Sequence, residues 1–508
     1  MAKSQRKIGM VLSYGGNLLL VAVNIFLTPF LIKSLGDAEY GVYQMMASFA
    51  GYLMLMNFGT GTVMTRYVSL YLGKKDKKGE RNFIAMCLII TAGLALIIAI
   101  LAGVLYIFID DIYASSLSAS QIEKAKLLYL IIVINLIVTL VGQAFQGIVN
   151  AYEKFAFNHL WNIGKILTKA ALLIILFQFR ADSVIIVLVD LFLSVAFTVL
   201  YMFYAFVRLQ ATPKLYKFDR EIFTSSAVFS LAMMLQAVVN QVNTRVDTTI
   251  LGIMVSPESV TQYSVAMQIF SVFTSLSTAA VAIYLPKFTK MVASGHSSGE
   301  EITREMIAPS RVQTLVSGAI LFGFLVCGRD FIRMWMGEGY ESAFTIAVII
   351  MIPMFLVYTI AVAESVLDAL QKRLVRSVVL TCVAAANIII SVVLVHFFGE
   401  IGAPVGTAIA TVVGPLIIMN IYYSKVIGIK MFKLFSGVFK GILPSLILST
   451  AVAMPAVVYI PVSTLGLFIK GGIFVVALVV SLMIFGLNKE EKSLVLKPFR
   501  RRKTSVNE

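Results

Sequence analysis

Ionisable and amide side chains recur inside the long apolar runs of this 508-residue sequence, where a polar group needs a physical reason to stay. The run 222–255 is the richest. Gln236, Asn240, Asn243 and Asp247 follow at i, i+4, i+7 and i+11 and share a helix face, while Gln241 and Arg245 lie one turn apart on roughly the opposite side. In a bilayer each ionised group costs roughly 2.5–3.5 kcal/mol on insertion scales, so it is expected to meet a partner, a ligand or a polar cavity. One stripe is expected to line a cavity and the other to pack within its bundle; amides tying helices together by hydrogen bonds account for the Asn and Gln residues equally well.

Two lysines, Lys165 and Lys169, share a face of the run 159–179, and Lys169 falls about 16 Å from one end at 1.5 Å per residue. Asp190, about 9 Å into the next run by the same rise, is a candidate partner. Cations at that depth suit a phosphate-bearing ligand, because a fixed positive charge offsets the hydration the phosphate loses. The competing reading is a purely structural Lys169–Asp190 pair. Arg66, at the end of the run 41–67, is either a phosphate contact or an anchor that snorkels to the interface. Glu364 and Asp368 stand one turn apart with Lys372 a turn further, which suits a gate, a packing ladder or a coupling site for a proton or sodium ion. His159, His296 and His396 sit near the ends of runs or in a loop and are not read as a proton switch.

What positions these residues follows from composition. Apolar residues make up 59% of the chain and charged ones 13%, with a mean hydropathy of +0.91, whereas a soluble domain carries roughly 45–50% apolar and about 25% charged residues. Runs of about 20 apolar residues, the length that crosses a bilayer core, recur from Ile8 to Leu487. They divide near 8–32, 41–67, 83–109, 125–151, 159–179, 184–207, 222–255, 262–286, 312–331, 344–367, 377–398, 405–424, 441–460 and 465–487. The expected fold is an all-α polytopic membrane protein of about fourteen transmembrane helices. The first run follows Lys3, Arg6 and Lys7 but lacks a cleavage site and is read as a span, not a signal peptide.

The net charge of +16 would suggest nucleic acid in a soluble protein, but the charges alternate from loop to loop. Lys74 to Arg81, Arg208 to Arg220, Lys287 to Arg304, Lys372 to Arg376, Lys425 to Lys440 and the tail Lys489 to Lys503 form one basic set. The other loops hold few cations, Lys124, Lys126, Arg329 and Lys470 among them, beside Glu39, Asp110, Asp182 and Glu341. The positive-inside rule places the basic set, and both termini, in the cytoplasm. The three cysteines, Cys87, Cys327 and Cys382, have no metal-site spacing and are read as packing residues. No metal and no cofactor are expected. A phosphate cradle, a zinc-binding helix pair and a nucleophile elbow are all absent from the sequence, and no loop is long enough to hold a soluble catalytic domain, so an enzyme is not expected.

A duplication emerges at an offset of about 218–220 residues: Gln146-Gly147-Ile148-Val149-Asn150-Ala151-Tyr152-Glu153-Lys154 parallels Glu364-Ser365-Val366-Leu367-Asp368-Ala369-Leu370-Gln371-Lys372. An even number of helices separates the repeats, so the halves have the same orientation, as in transporters whose substrate sits between them. The expected domains are a six-helix lobe at 1–217, a pseudo-symmetric one at 218–428, and a helix pair with a basic tail at 429–508.

The stretch Thr28-Pro29-Phe30-Leu31-Ile32-Lys33-Ser34-Leu35-Gly36-Asp37-Ala38-Glu39-Tyr40-Gly41, then Asn57-Phe58-Gly59-Thr60-Gly61, Thr65-Arg66-Tyr67-Val68 and Asn243-Thr244-Arg245-Val246-Asp247, resembles the polysaccharide flippases of the multidrug/oligosaccharidyl-lipid/polysaccharide exporter superfamily. Asn57 stands where that family's turn usually bears aspartate or leucine, so no role is carried over to it. The resemblance implies two six-helix bundles that move undecaprenyl-linked oligosaccharide across the bacterial inner membrane by alternating access, with or without a further C-terminal helix pair. Substrate-binding candidates are Arg66, Lys165, Lys169, Asn240, Asn243, Arg245 and Asp247; gate or coupling candidates are Asp190, Glu364 and Asp368. Expected partners are the lipid-linked oligosaccharide, bilayer lipids, a proton or sodium ion, and polysaccharide polymerase and glycosyltransferases; nucleic acid is not one. The rival functions are an ion-driven multidrug exporter, a flippase of the lipid-linked peptidoglycan precursor and a membrane polysaccharide polymerase.

Overall fold

A backbone that crosses hydrocarbon must satisfy its own N–H and C=O groups, which a helix does within one segment. All regular structure among the described residues is accordingly helical. The computed structural model describes residues 2–57, 59–278, 284–294, 298–370, 372–488 and 491–493, in two units, Met1–Ser264 and Val265–Glu508. The first holds α1 (Ala2–Leu35), α2 (Asp37–Gly51), α3 (Thr60–Gly73), α4 (Lys77–Ile107), α5 (Ile109–Tyr113), α6 (Ala119–Ala151), α7 (Phe155–Phe177), α8 (Ser183–Phe203), α9 (Arg220–Met254) and the start of α10 (Pro257–Thr278). The second continues with α11 (Leu285–Ala293), α12 (Gly299–Met336), α13 (Glu341–Thr359), α14 (Val362–Ala369), α15 (Arg373–Phe398), α16 (Gly402–Thr411), α17 (Met419–Tyr422), α18 (Met431–Phe439), α19 (Ile442–Tyr459) and α20 (Thr464–Ser481).

Nine helices among the described residues are long and apolar enough to cross a membrane. One such stretch, Val375–Ile427, contains a hairpin: Asn387 bonds Thr407 and Ser391 bonds the Ala403 carbonyl, an antiparallel register around the turn at Gly399. The expected single helix over 41–67 is broken. Residues Tyr52–Asn57 tighten into a 3-10 turn, and Gly59 starts α3 at φ 64°, a left-handed conformation that a side chain disfavours. The expected helix 344–367 is likewise two, α13 and α14, joined through Ile360 and Ala361. Two basic segments expected as loops carry short helices, α11 and α18. The run 405–424 opens into i→i+5 turns at Val412–Ile418, where Pro415 has no N–H to continue an α-ladder.

Close packing in the first unit depends on small residues. A Cβ on Gly147 would lie 2.5 Å from the Gly61 carbonyl oxygen, and the Thr65 hydroxyl donates to the carbonyls of both Gly61 (2.8 Å) and Gly147 (3.1 Å). Gly147→Val is therefore expected to force α3 and α6 apart at a cost of roughly 1–3 kcal/mol, read as a lower melting temperature in detergent; an unchanged value would mean that α3 moves freely.

The repeat is visible in backbone hydrogen bonds. Tyr152 N–H donates to the Ile148 carbonyl and Lys154 N–H to that of Val149; at an offset of 218, Leu370 donates to Val366 and Lys372 to Leu367. Ala211 N–H donates to the Ala205 carbonyl, and Ile429 to Tyr423, at the same offset, each after a run of i→i+5 turns (Tyr204–Arg208 and Tyr423–Ile427).

Candidate functional site

Helices α7 and α8 are antiparallel neighbours, so residues of constant number sum face each other. Lys169 Nζ lies 2.7 and 2.9 Å from the two Asp190 carboxylate oxygens, and Lys165 Nζ reaches the Ser194 hydroxyl at 3.2 Å and the Phe197 ring at 5.9 Å. The pair is half-buried. On the facing helix α2, Tyr43 lies within Coulombic range of both Asp190 and Arg245, and Tyr40 within that of Lys169. Tyr43 therefore feels both the Asp190 carboxylate and the Arg245 guanidinium.

Arg245 is partly buried on α9, and among the described residues it forms no ion pair. Its carbonyl is held by the Ser48 hydroxyl at 3.0 Å, which fixes α9 against α2 at that level. Asp247 has a different environment. It is 4% exposed and accepts a 2.8 Å hydrogen bond from the buried Tyr263 hydroxyl of α10, so a neighbouring helix covers it. The side chains of Gln236, Asn240 and Asn243 lie outside the described residues, as do Phe58, His296 and the tail from 494 onward.

Arg66 is exposed, with its guanidinium 5.8 Å from the centre of the Tyr67 ring. Glu364 on α14 pairs with Arg376 of α15 at 2.5 Å, a partner that sequence spacing did not suggest. In the first half the equivalent positions are Gln146 and Asn158, whose amides bond at 2.7 Å. One half thus bridges the two helices with a neutral pair and the other with an ionic one. Converting the second to the first, Glu364→Gln with Arg376→Asn, is expected to retain at least about half of wild-type activity, since an amide hydrogen bond still contributes roughly 0.5–1.5 kcal/mol. A complete loss of activity in the double variant, with the protein still folded, would make Glu364 more than a packing partner. Asp368 is partly buried at the end of α14, and it has an interaction partner.

Three charged clusters were not legible as clusters in the sequence. Lys470 was assigned to an outer loop, but it lies within α20, fully buried, bonded to the Asp330 carboxylate of α12. Arg311, also on α12 and 6% exposed, grips both Glu491 carboxylate oxygens (2.7 and 3.0 Å) and the carbonyls of Gly437 (3.0 Å), Lys440 (2.9 Å) and Gly486 (2.6 Å). In the first unit Glu39 accepts from Lys124 (2.5 Å) and from the Ser183 amide (2.7 Å), and Lys124 also reaches Asp182 at 3.2 Å. Burial alone would raise the Asp182 carboxyl, but the Val184 amide and Lys124 outweigh it and hold the group below the usual carboxylate range.

Two apolar cavities lie among the described residues. One, about 540 Å³, is a groove along α19 and α20 whose wall includes Leu448, Val452, Val476 and Ile484. The other, about 390 Å³, lies between α3, α4 and the first turns of α9.

The comparisons with known proteins agree with this architecture. Residues 9–292 match a family profile described as polysaccharide biosynthesis protein. The uncharacterized membrane protein EpsK of Bacillus subtilis (strain 168) is 20% identical over 515 residues, covering 96% of this chain and 97% of that one. The fold is similar to that of lipid II flippase MurJ in an inward closed conformation, with a TM-score of 0.73 at 15% identity over 96% of this chain and 99% of that chain. It is also similar to an inward-facing multidrug resistance MATE family transporter of the MOP superfamily, with a TM-score of 0.63 at 14% identity over 80% and 94%. Because the family profile matches more than half of the sequence, starting within α1 and running through α11, this multi-pass, all-helical membrane chain belongs to the polysaccharide biosynthesis protein family.

Proposed function

We propose that the chain is a flippase that moves an undecaprenyl-type lipid-linked oligosaccharide across the bacterial inner membrane for surface polysaccharide assembly. In this reading two six-helix lobes, 1–217 and 218–428, work by alternating access, 429–508 is an added helix pair and tail, and fourteen spans leave both termini in the cytoplasm. One observation carries it. Lys165, Lys169 and Arg245 are three cations in the membrane-embedded part of the first unit, against two carboxylates, Asp190, which pairs with Lys169, and Asp247, which accepts from the neutral Tyr263 hydroxyl. An excess of positive charge at low dielectric is unfavourable unless an anion arrives, and a lipid pyrophosphate is such an anion. The apolar groove on α19 and α20 is large enough to hold part of a prenyl tail. Asp190 and Asp368 are the carboxylates through which a proton or sodium ion would couple, Glu364 with its partner Arg376 is a gate pair, and a polymerase and glycosyltransferases are the expected pathway neighbours.

The test is accumulation of undecaprenyl-linked oligosaccharide on the inner leaflet of cells carrying Lys169→Ala or Arg245→Ala. Export is expected to fall at least about tenfold, because a hydrogen bond to a charged group contributes roughly 1.5–3 kcal/mol. The exchanged pair Lys169→Asp with Asp190→Lys separates the two roles: restored folding without restored export supports an anion site, whereas restored export reduces the pair to a structural tie. Wild-type export in both alanine variants sinks the reading, and a peptidoglycan precursor accumulating instead would reassign the cargo.

A further inference from the structure

The cavity between α3, α4 and α9 has no part in the ladder just described. Its wall follows one face of α4, from Phe83 through Met86 and Thr91 to Leu94, a depth of about 16 Å at 1.5 Å per residue. That is close to one leaflet of a hydrocarbon core about 30 Å thick. The opposite wall is Ala227 and Leu231 of α9. Three wall hydroxyls are turned onto nearby backbone of their own chain segment: Thr91 donates to the Cys87 carbonyl at 2.7 Å, Ser226 to that of Phe223 at 3.1 Å, and Thr60 to that of Asn57 at 2.5 Å, while Ser230 adds a fourth hydroxyl to the wall. What remains is a slot whose surface is almost wholly apolar, of the length and character of a fatty-acyl chain.

At the mouth of this slot the chain builds a basic collar. Asn82, adjacent to Phe83, accepts the amides of Tyr216 (2.7 Å) and Lys217 (3.0 Å) and donates to the Lys217 carbonyl (2.8 Å), which docks the segment before α9 onto the start of α4. Lys78 and Lys214 flank the Tyr216 ring at 5.2 and 5.3 Å, and Lys217 and Arg220 are exposed beside them. The Arg81 Nε is buried with no hydrogen-bond partner among the described residues. Of the acids nearby, Asp76 caps the Gly79 amide, Asp219 accepts from the Glu221 amide, Glu80 is taken by Lys77 and Tyr152, and the Glu221 side chain is exposed next to Arg220. An apolar slot one leaflet deep ending in a collar of cations matches a molecule with a hydrocarbon chain and an anionic head.

We infer that this slot and collar bind an anionic phospholipid of the surrounding bilayer, one acyl chain between α4 and α9 and the phosphate among Arg81, Lys217 and Arg220. The inference rests on the collar side facing the cytoplasm and does not depend on which cargo is moved. Full-length protein in neutral-lipid nanodiscs, doped with a phosphatidylglycerol carrying a photoreactive acyl chain, gives the test. Crosslinks mapped by peptide mass spectrometry are expected on 83–94 and 223–231, at about tenfold the level from the matching phosphatidylcholine probe, which corresponds to about 1.4 kcal/mol of charge-dependent affinity. The triple variant Arg81→Gln, Lys217→Gln, Arg220→Gln is expected to remove that preference, and Ala227→Phe to remove labelling at this site while leaving other lipid-facing peptides labelled. Equal labelling by the two probes, unchanged labelling in Ala227→Phe, or displacement of the probe by a small excess of undecaprenyl phosphate would overturn the assignment.

Discussion

Lys470→Ala is expected to destabilise the protein by about 3–5 kcal/mol, because it leaves the Asp330 carboxylate buried without its cation. Lys470 is fully buried and the Asp330 side chain is 11% exposed, so water does not replace the lost partner. Removing both charges together is a different experiment. Lys470→Met with Asp330→Leu keeps the volume and removes the desolvation cost of two ions, and it is expected to melt within a few degrees of wild type. The measurement is thermal unfolding of the detergent-solubilised protein for the two single variants and the double. A Lys470→Ala protein that melts like the wild type would mean that the pair is hydrated and contributes little.

Arg311→Ala is expected to cost a similar amount, about 3–5 kcal/mol, for a related but broader reason. One guanidinium satisfies Glu491 and the carbonyl oxygens where α18 and the last turns after α20 come to an end. Helix ends leave carbonyls without intrahelical donors, and buried ones lose their partner with the arginine. Arg311→Lys keeps the charge but cannot fork to so many acceptors, so it is expected to recover less than half of the loss. The latch also has a pH signature. Burial raises the Glu491 carboxyl, but Arg311 and the Asn488 backbone outweigh it, and the folded-state value lies below the usual glutamate range. A group held low stabilises the fold in full above its unfolded pKa of about 4.3 and loses that contribution as pH falls through the lowered value. The melting temperature of wild type is therefore expected to fall across that acid window by more than that of Arg311→Ala, and parallel pH profiles for the two would contradict the latch.

These two contacts sit on the same helix. Arg311 and Asp330 are separated by about 28 Å along α12 at 1.5 Å per residue, close to the thickness of a hydrocarbon core. Both tie α12 to the C-terminal segment, one to α20 and the other to α18 and the residues after α20. α20 and the residues after it are thus fastened to α12 at two levels, and they are expected to move with α12 as one body.

Much of the molecule was legible from residues alone, because hydropathy is a local property. A run of about 20 apolar residues is committed to a membrane helix whatever its neighbours do, and the alternation of basic loops needs no tertiary contact to be read. The Lys169–Asp190 pair was foreseeable for the same reason: the two residues are 21 positions apart across one tight helical hairpin, which fixes their facing. The repeat was legible at Gln146 to Lys154 because identical turns need similar residues.

Tertiary structure decided the rest. Lys470 and Asp330 are 140 residues apart, and Arg311 and Glu491 are 180, so nothing in either neighbourhood announces the partner. Lys470 counts with the outer-side cations in the charge pattern because it stands near the start of the run 465–487, a lone cation in an apolar run is costly, and only the distant carboxylate makes its burial tolerable. The break of the second span at Gly59 and the covering of Asp247 by Tyr263 belong to the same class, being settled by packing against other helices. Sequence alone determined that the chain lives in a bilayer and which side chains would be costly there; which of those costs are met by a partner depended on the fold, because compensation of a buried charge acts over a few ångströms in space and over any distance along the chain.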